Sequence, residues 1–272
     1  MSGLPPLWAG LARLAPRLPP GVTSLASLGA EAMLEALPDL AWRARVLGSE
    51  ALPGTWLRAD DPRWPPALHG LPGAPLALAV EGDLTLLEAP GVAVVGTRHT
   101  TSTGRAAART VAAAVVAHGA VVVSGLAAGI DAEAHHAAGG RTIAVIGQGL
   151  AASMPAWQAA VRQRIVRRGG LVLSEYPYGW NATRYTFPER NRVVAGLARG
   201  VVVVEAGHRS GAKITATHAQ RFGRPVAAWP GPAQAPSFFG CADLLAAGAW
   251  PADAPGLIVR VLGHANRIVA AG

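Results

Sequence analysis

The residues of this sequence best suited to chemistry stand where short apolar runs stop. Gly96-Thr97-Arg98, Ser124-Gly125, Gly147, Ser174-Glu175, Glu205, Ser210-Gly211 and Gly231 stand at or a few residues beyond the ends of runs of valine, alanine, leucine or isoleucine. Glycine at such a turn lets the backbone approach a ligand and leaves free amides aimed at it. A hydroxyl beside the glycine adds a donor, and Arg98 adds a planar fork that matches a phosphate. Any one of these turns is what a strand–helix junction needs for its own backbone. Several together, with Arg98, Arg190, Arg192 and Lys213 interspersed, favour a crevice that binds an anion.

Phe187-Pro188-Glu189-Arg190-Asn191-Arg192 is the most specific short segment, and it follows Tyr176, Tyr178, Trp180 and Tyr185. Cationic forks beside aromatic rings suit a single-stranded nucleic acid, whose phosphates meet cations while its bases stack. Alone, the segment reads better as a helix start with solvated charges. Other chemistries find little support. The dinucleotide pattern G-x-G-x-x-G is absent, since Arg98 stands where its second glycine would be, and no Walker A loop is present. Asp131 and His135 have the four-residue spacing of metal ligands, but Asp131 reads more simply as a helix cap, and no metal or other cofactor is expected. Glu175 and Glu205 could act as acid and base; structural roles are expected, and no catalytic residue is assigned.

The elements that must position these residues follow from the apolar pattern. Residues 92–95, a helix over 106–118 and residues 121–123 make a parallel βαβ unit, with a second helix over 130–138. Further strands are expected at 142–146, 171–173, 201–204 and 226–229, and helices at 157–167, 193–197 and 215–222. The strands are continuously apolar, so both faces of the sheet must be covered. The fold class is α/β, an extended Rossmann-like, doubly wound, mostly parallel sheet, in which ligands bind beyond the carboxyl ends of the strands. Residues 1–50 read as a small all-α domain of SAM or helix–hairpin–helix type, with Pro20-Gly21-Val22 as a possible phosphate-holding turn. Residues 51–90 read as a proline-rich connector with an edge strand at 75–80, and residues 91–272 as the main domain.

Composition narrows the class. Of 272 residues 51% are hydrophobic and 15% charged, ample for a buried core, and the net charge of +8 is consistent with a polyanionic partner. The single cysteine, Cys241, rules out an internal disulfide. The proline-broken N-terminus is no convincing signal peptide, and no apolar run approaches a membrane span. A cytoplasmic protein without membrane association is expected.

Seven segments, VAVVGTR…STG, SGLAAGIDAEAH, GRTIAVIGQG, GGLVLSEYPYG, FPERNRVVAGL, VVVVEAGHRSGAKITATHA and GRPVAAWPG, stand in an order and spacing that resembles the DNA-processing protein A family, also called Smf. The resemblance covers about residues 60 to 250, and ADDPRWPPAL upstream resembles that family's connector. It implies a Rossmann-like domain that binds single-stranded DNA without catalysis. Such proteins protect incoming DNA during natural transformation, help it past single-strand-binding protein, load the RecA recombinase onto it, and act as homodimers. By motif position, Gly96, Arg98, Ser124, Gly125, Arg190, Asn191, Arg192, Ser210 and Gly211 would line the DNA pocket, with Lys213 an additional cation. Binding would then be salt-sensitive and largely independent of sequence.

Three departures stand out. The family's G-x-G-[LM]-D-x-x-Y-P loop reads GQGLAASMP, with Ala151 and Met154 at its acidic and tyrosine positions and no basic residue just after Pro155. Glu189 precedes Arg190-Asn191-Arg192 where lysine is common, and too few residues follow Gly240 for the C-terminal winged helix of many members. The alternative is a nucleoside-monophosphate phosphoribohydrolase of the lysine-decarboxylase-like group. Its P-G-G-x-G-T-x-x-E segment is absent from VVVVEAGHRSG.

Overall fold

The computed structural model describes residues 3–14, 25–37 and 50–269, so the Pro20-Gly21-Val22 turn lies outside the described residues. Its strands are β1 (Trp56–Arg58), β2 (Ala77–Gly82), β3 (Gly91–Val95), β4 (Val121–Ser124), β5 (Thr142–Ile146), β6 (Leu171–Ser174), β7 (Ala198–Val203), β8 (Val226–Ala228) and β9 (Trp250–Pro251). The helices are α1 (Pro6–Leu14), α2 (Ala30–Glu35), α3 (Ser102–Ala117), α4 (Ile130–Ala138), α5 (Ala156–Arg167), α6 (Thr186–Leu197), α7 (Ala212–Arg221), α8 (Phe239–Ala246) and α9 (Leu257–Val269).

All the strands join one sheet in the order β1-β2-β6-β5-β4-β3-β7-β8-β9. From β6 across to β9 neighbours are parallel, and β2 runs antiparallel to both β1 and β6. Successive side chains of a strand point to opposite faces, which is why continuous valine runs serve here. Val92, Val94, Val122 and Val202 pack under α3, α4 and α9 through Val111, Ile130 and Ile258. Ala93, Val95, Val121, Val123, Val201 and Val203 face the opposite layer, where Val193 and Val194 of α6 and Ala216 of α7 cover them. Among the described residues no helix is long and apolar enough to cross a membrane.

The chain order creates the crevice. From β3 the sheet grows outward through β4, β5 and β6, and α6 then carries the chain back to the other side of β3, where β7 and β8 continue. Growth therefore reverses between β3 and β7. At such a switch point the turns leaving the two strands diverge and leave a cleft beyond their carboxyl ends.

Four local differences from the sequence reading have physical causes. Helix α3 begins at Ser102 because the Thr101 hydroxyl caps it, accepting the Gly104 amide at 3.0 Å. Helix α6 begins at Thr186, so Arg190-Asn191-Arg192 is helical, and Pro188 falls in the first turn, where its missing N–H is tolerated. Strand β2 is not an edge, because β1 pairs along its free side. Residues 51–90 thus supply two strands, and their Leu57, Trp64, Leu76 and Leu78 share a core with Val95, Val203 and the N-terminal Leu4, Trp8 and Met33.

One buried group makes folding pH-dependent. His135 on α4 places Nδ1 2.7 Å from the Thr142 hydroxyl, which donates to the Val122 carbonyl at 2.9 Å. Burial, with a smaller push from Arg190, lowers its pKa from 6.5 to about 3. Unfolded chains take up a proton near pH 6.5 that folded ones refuse until about pH 3. The stability this group contributes is complete above the unfolded value and falls by about 1.4 kcal/mol per pH unit as the pH drops through that window. Urea denaturation of the parent between pH 7 and 4.5 should therefore show a steeper loss than that of His135→Leu. Parallel curves would contradict a neutral buried His135.

Candidate functional site

The turns after β3, β4 and β7 and the first half of α6 enclose a cleft of about 710 Å³. Four arginines line it: Arg98 after β3, Arg184 ahead of α6, Arg190 on α6 and Arg209 after β7. Arg98, Arg184 and Arg209 are exposed, and none has an acidic partner among the ion pairs of the described residues. The Arg98 guanidinium lies over the Phe187 ring at 5.3 Å, a cation–π contact that holds it at the rim.

Among the described residues Asp131 is the one carboxylate in the lining, and it is buried. Its Oδ2 accepts the Gly125 and Ala127 amides at 3.1 and 3.3 Å, which shapes the turn after β4. Burial pushes its pKa up, while Arg190 and these amides pull it back. Arg190 is itself buried, and its Nη1 donates to the Gly125 and Val145 carbonyls, tying α6 to the ends of β4 and β5. Burial lowers the Arg190 pKa against the pull of Asp131. A side chain at Gly125 would place Cβ 2.6 Å from the Arg190 guanidinium and 2.7 Å from Asp131, so only glycine fits between them.

Glu205, which follows β7, occupies the start of α3. Its Oε2 accepts the Thr100 hydroxyl at 2.7 Å and the Thr101 amide at 3.0 Å. The positive end of α3, where a dinucleotide fold holds pyrophosphate, is thereby filled by the protein's own carboxylate. Gly104 is required there, since its Cβ would lie 1.8 Å from Glu205 Oε2. Gly96 likewise faces Ile130 at 2.5 Å and the Glu205 carbonyl at 2.8 Å.

Gly96, Arg98, Gly125, Arg190, Asn191, Ser210 and Gly211 thus meet in one cleft. Asn191 donates to the Gly211 carbonyl at 3.4 Å, and the Ser210 hydroxyl accepts the Ala212 amide at 3.3 Å. Three other residues expected in the pocket lie elsewhere. Ser124 is fully buried and donates to the Val94 carbonyl at 2.7 Å. Arg192 is paired with Glu175, both largely buried, and Lys213 pairs with Asp243 of α8 at 2.7 Å. The cleft also uses Arg184 and Arg209, which the sequence reading passes over. Each stands next to a residue already singled out, Tyr185 and Ser210, and that adjacency is the signal available for it.

Gly211 differs from Gly96 and Gly125, the other two predicted glycines of the cleft. Its φ of −62° suits any residue, and a Cβ there meets no atom within 4 Å. The fold does not demand glycine here, so a side chain would fill only cleft space. Gly211→Val should melt within about 2 °C of the parent, as an unstrained surface change does, yet bind its anionic ligand at least tenfold more weakly. Calorimetry and a binding titration check the two halves, and unchanged affinity would remove Gly211 from the site.

The sequence matches the family described as DNA recombination-mediator protein A over residues 55–262. It is 43% identical to the protein Smf of Synechocystis over 201 residues, 71% of this chain and 50% of that protein. To the DNA processing protein DprA of Streptococcus pneumoniae it is 43% identical over 192 residues, 70% of this chain and 67% of that protein. The chain thus spans about half the length of the Synechocystis relative. The X-ray structure of S. pneumoniae DprA superposes with a TM-score of 0.72 at 35% identity, covering 85% of this chain and 82% of that one. The Helicobacter pylori DNA processing protein A, whose structure describes a single-stranded DNA binding mode, superposes at 0.67 with 29% identity, covering 80% and 97%. The chain belongs to the DNA recombination-mediator protein A family, known also as DprA or Smf.

Proposed function

We propose that this chain binds single-stranded DNA in the cleft between β3 and β7 and acts as a recombination mediator. It protects incoming strands during natural transformation, works alongside single-strand-binding protein, and loads RecA as a homodimer. The observation that carries the reading is the cleft itself: three exposed arginines that have no acidic partner among the ion pairs of the described residues, around an open glycine turn. Phosphates rest on Arg98, Arg184 and Arg209 and on turn amides. The H. pylori relative, with its single-stranded DNA binding mode, supports the choice of ligand. Use of Glu205 as the cap of α3 argues against a nucleotide hydrolase, which needs a free carboxylate facing its substrate.

Fluorescence anisotropy of labelled oligo-dT and of a duplex, across a salt series, tests this reading. Three to four phosphate contacts correspond to a log–log salt slope of about −2 to −3 on a single strand. Preference for the single strand with such a slope supports the proposal; salt-independent binding, or none, refutes it. Light scattering on the same samples reports whether two chains associate.

A further inference from the structure

We infer that Trp180 and Tyr185 form a base-stacking platform at the mouth of the cleft, and that this platform, not the arginines, makes the site prefer single strands. The inference rests on the proposed function and adds a subsite to it. Four aromatic residues stand between β6 and α6, and the protein itself engages two. The Tyr176 hydroxyl donates to the Thr186 carbonyl at 3.2 Å. Tyr178 accepts the Thr55 amide at 3.2 Å, and its ring packs on Trp56 with centroids 6.2 Å apart.

Trp180 and Tyr185 are left outside, 52% and 60% exposed. Both are nevertheless held from behind. The Trp180 amide donates to the Pro177 carbonyl at 2.8 Å, and its carbonyl accepts the Gly149 amide at 2.8 Å, so the backbone is fixed while the indole is free. The Tyr185 ring carries the Arg184 guanidinium at 4.7 Å, and Arg184 lines the cleft. Tyr185 therefore stands one residue along the chain from the phosphate-binding wall, and Trp180 lies five residues before it in the same loop.

Its occupant is the bases of the strand whose phosphates lie in the cleft. Arginine forks and turn amides recognise phosphate, which single strands and duplexes share. An aromatic face recognises the π-face of a base, which is available only when the base is unpaired. The altered GQGLAASMP loop fits the same picture. Its Gly149 and Ala151 amides donate to the Trp180 and Tyr178 carbonyls, each at 2.8 Å, so it supports the aromatic loop and offers the DNA no side-chain charge.

The test uses the full chain, a 20-nucleotide oligo-dT, an abasic deoxyribose-phosphate strand of equal length, and a duplex. Trp180→Ala and Tyr185→Ala should each weaken oligo-dT binding about tenfold. Trp180→Ala should leave abasic and duplex binding within twofold, and Tyr185→Ala, which also frees Arg184, should lose less on those ligands than on oligo-dT. Tyr185→Phe, which keeps the ring, should retain full affinity. Undiminished oligo-dT binding by both alanine variants would overturn the platform, as would equal loss on the abasic strand. A parent chain that binds neither strand would refute the cleft reading, and the platform with it. Binding of the abasic strand by the parent, with no effect of the alanine changes on oligo-dT, would refute the platform alone.

Discussion

Arg98→Glu should cost about 30- to 150-fold in affinity for oligo-dT at moderate salt without measurably unfolding the chain. The side chain is exposed, and its one described contact is the Phe187 ring, so the folded state loses little. A charge-assisted hydrogen bond to phosphate contributes about 1.5–3 kcal/mol, and reversing the charge adds repulsion, giving a total of about 2–3 kcal/mol. Removing one phosphate contact also lowers the salt slope by about 1. Both quantities come from one anisotropy series, with a thermal melt as control. Unchanged affinity and slope would take Arg98 out of the interface.

Arg192 should behave in the opposite way. Only 13% of its side chain and 10% of that of Glu175 are exposed, and the two are paired. Burial raises the Glu175 pKa, and Arg192 is the main opposing influence. Removing one partner of such a pair costs about 3–5 kcal/mol because the other is left buried and uncompensated. Arg192→Met should therefore lose that much in urea denaturation while the folded fraction keeps its DNA affinity. Adding Glu175→Leu should restore most of the loss, since an apolar pair of similar size can replace a buried ion pair. A stable Arg192→Met chain with weakened binding would place Arg192 in the interface instead.

The contrast between these arginines shows what the sequence reveals and what it hides. The central unit was legible because valine runs and glycine turns mark their own ends: α4 and β5 fall at 130–138 and 142–146, as their patterns require. Helix α6 was legible only from Val193, because its first half faces the cleft and interleaves charge with polar residues. Strand β1, three residues in a proline-rich stretch, has too short a pattern to register. At the site, motif position brings a residue to the right edge of the sheet but does not say which acid waits across it. Arg192 meets Glu175 and Lys213 meets Asp243, partners 17 and 30 positions away. Arg184 and Arg209 were missed because a loop cation has no period to betray it.

Hydrogen exchange of the full chain, with and without saturating oligo-dT, tests most directly whether the strand lies at the switch point between β3 and β7. Slowed exchange is expected in residues 96–100, 125–129 and 207–212, with α3 and α9 unchanged. Protection confined to α3 and α9, with the turns after β3 and β7 unaltered, would contradict a DNA site in this cleft.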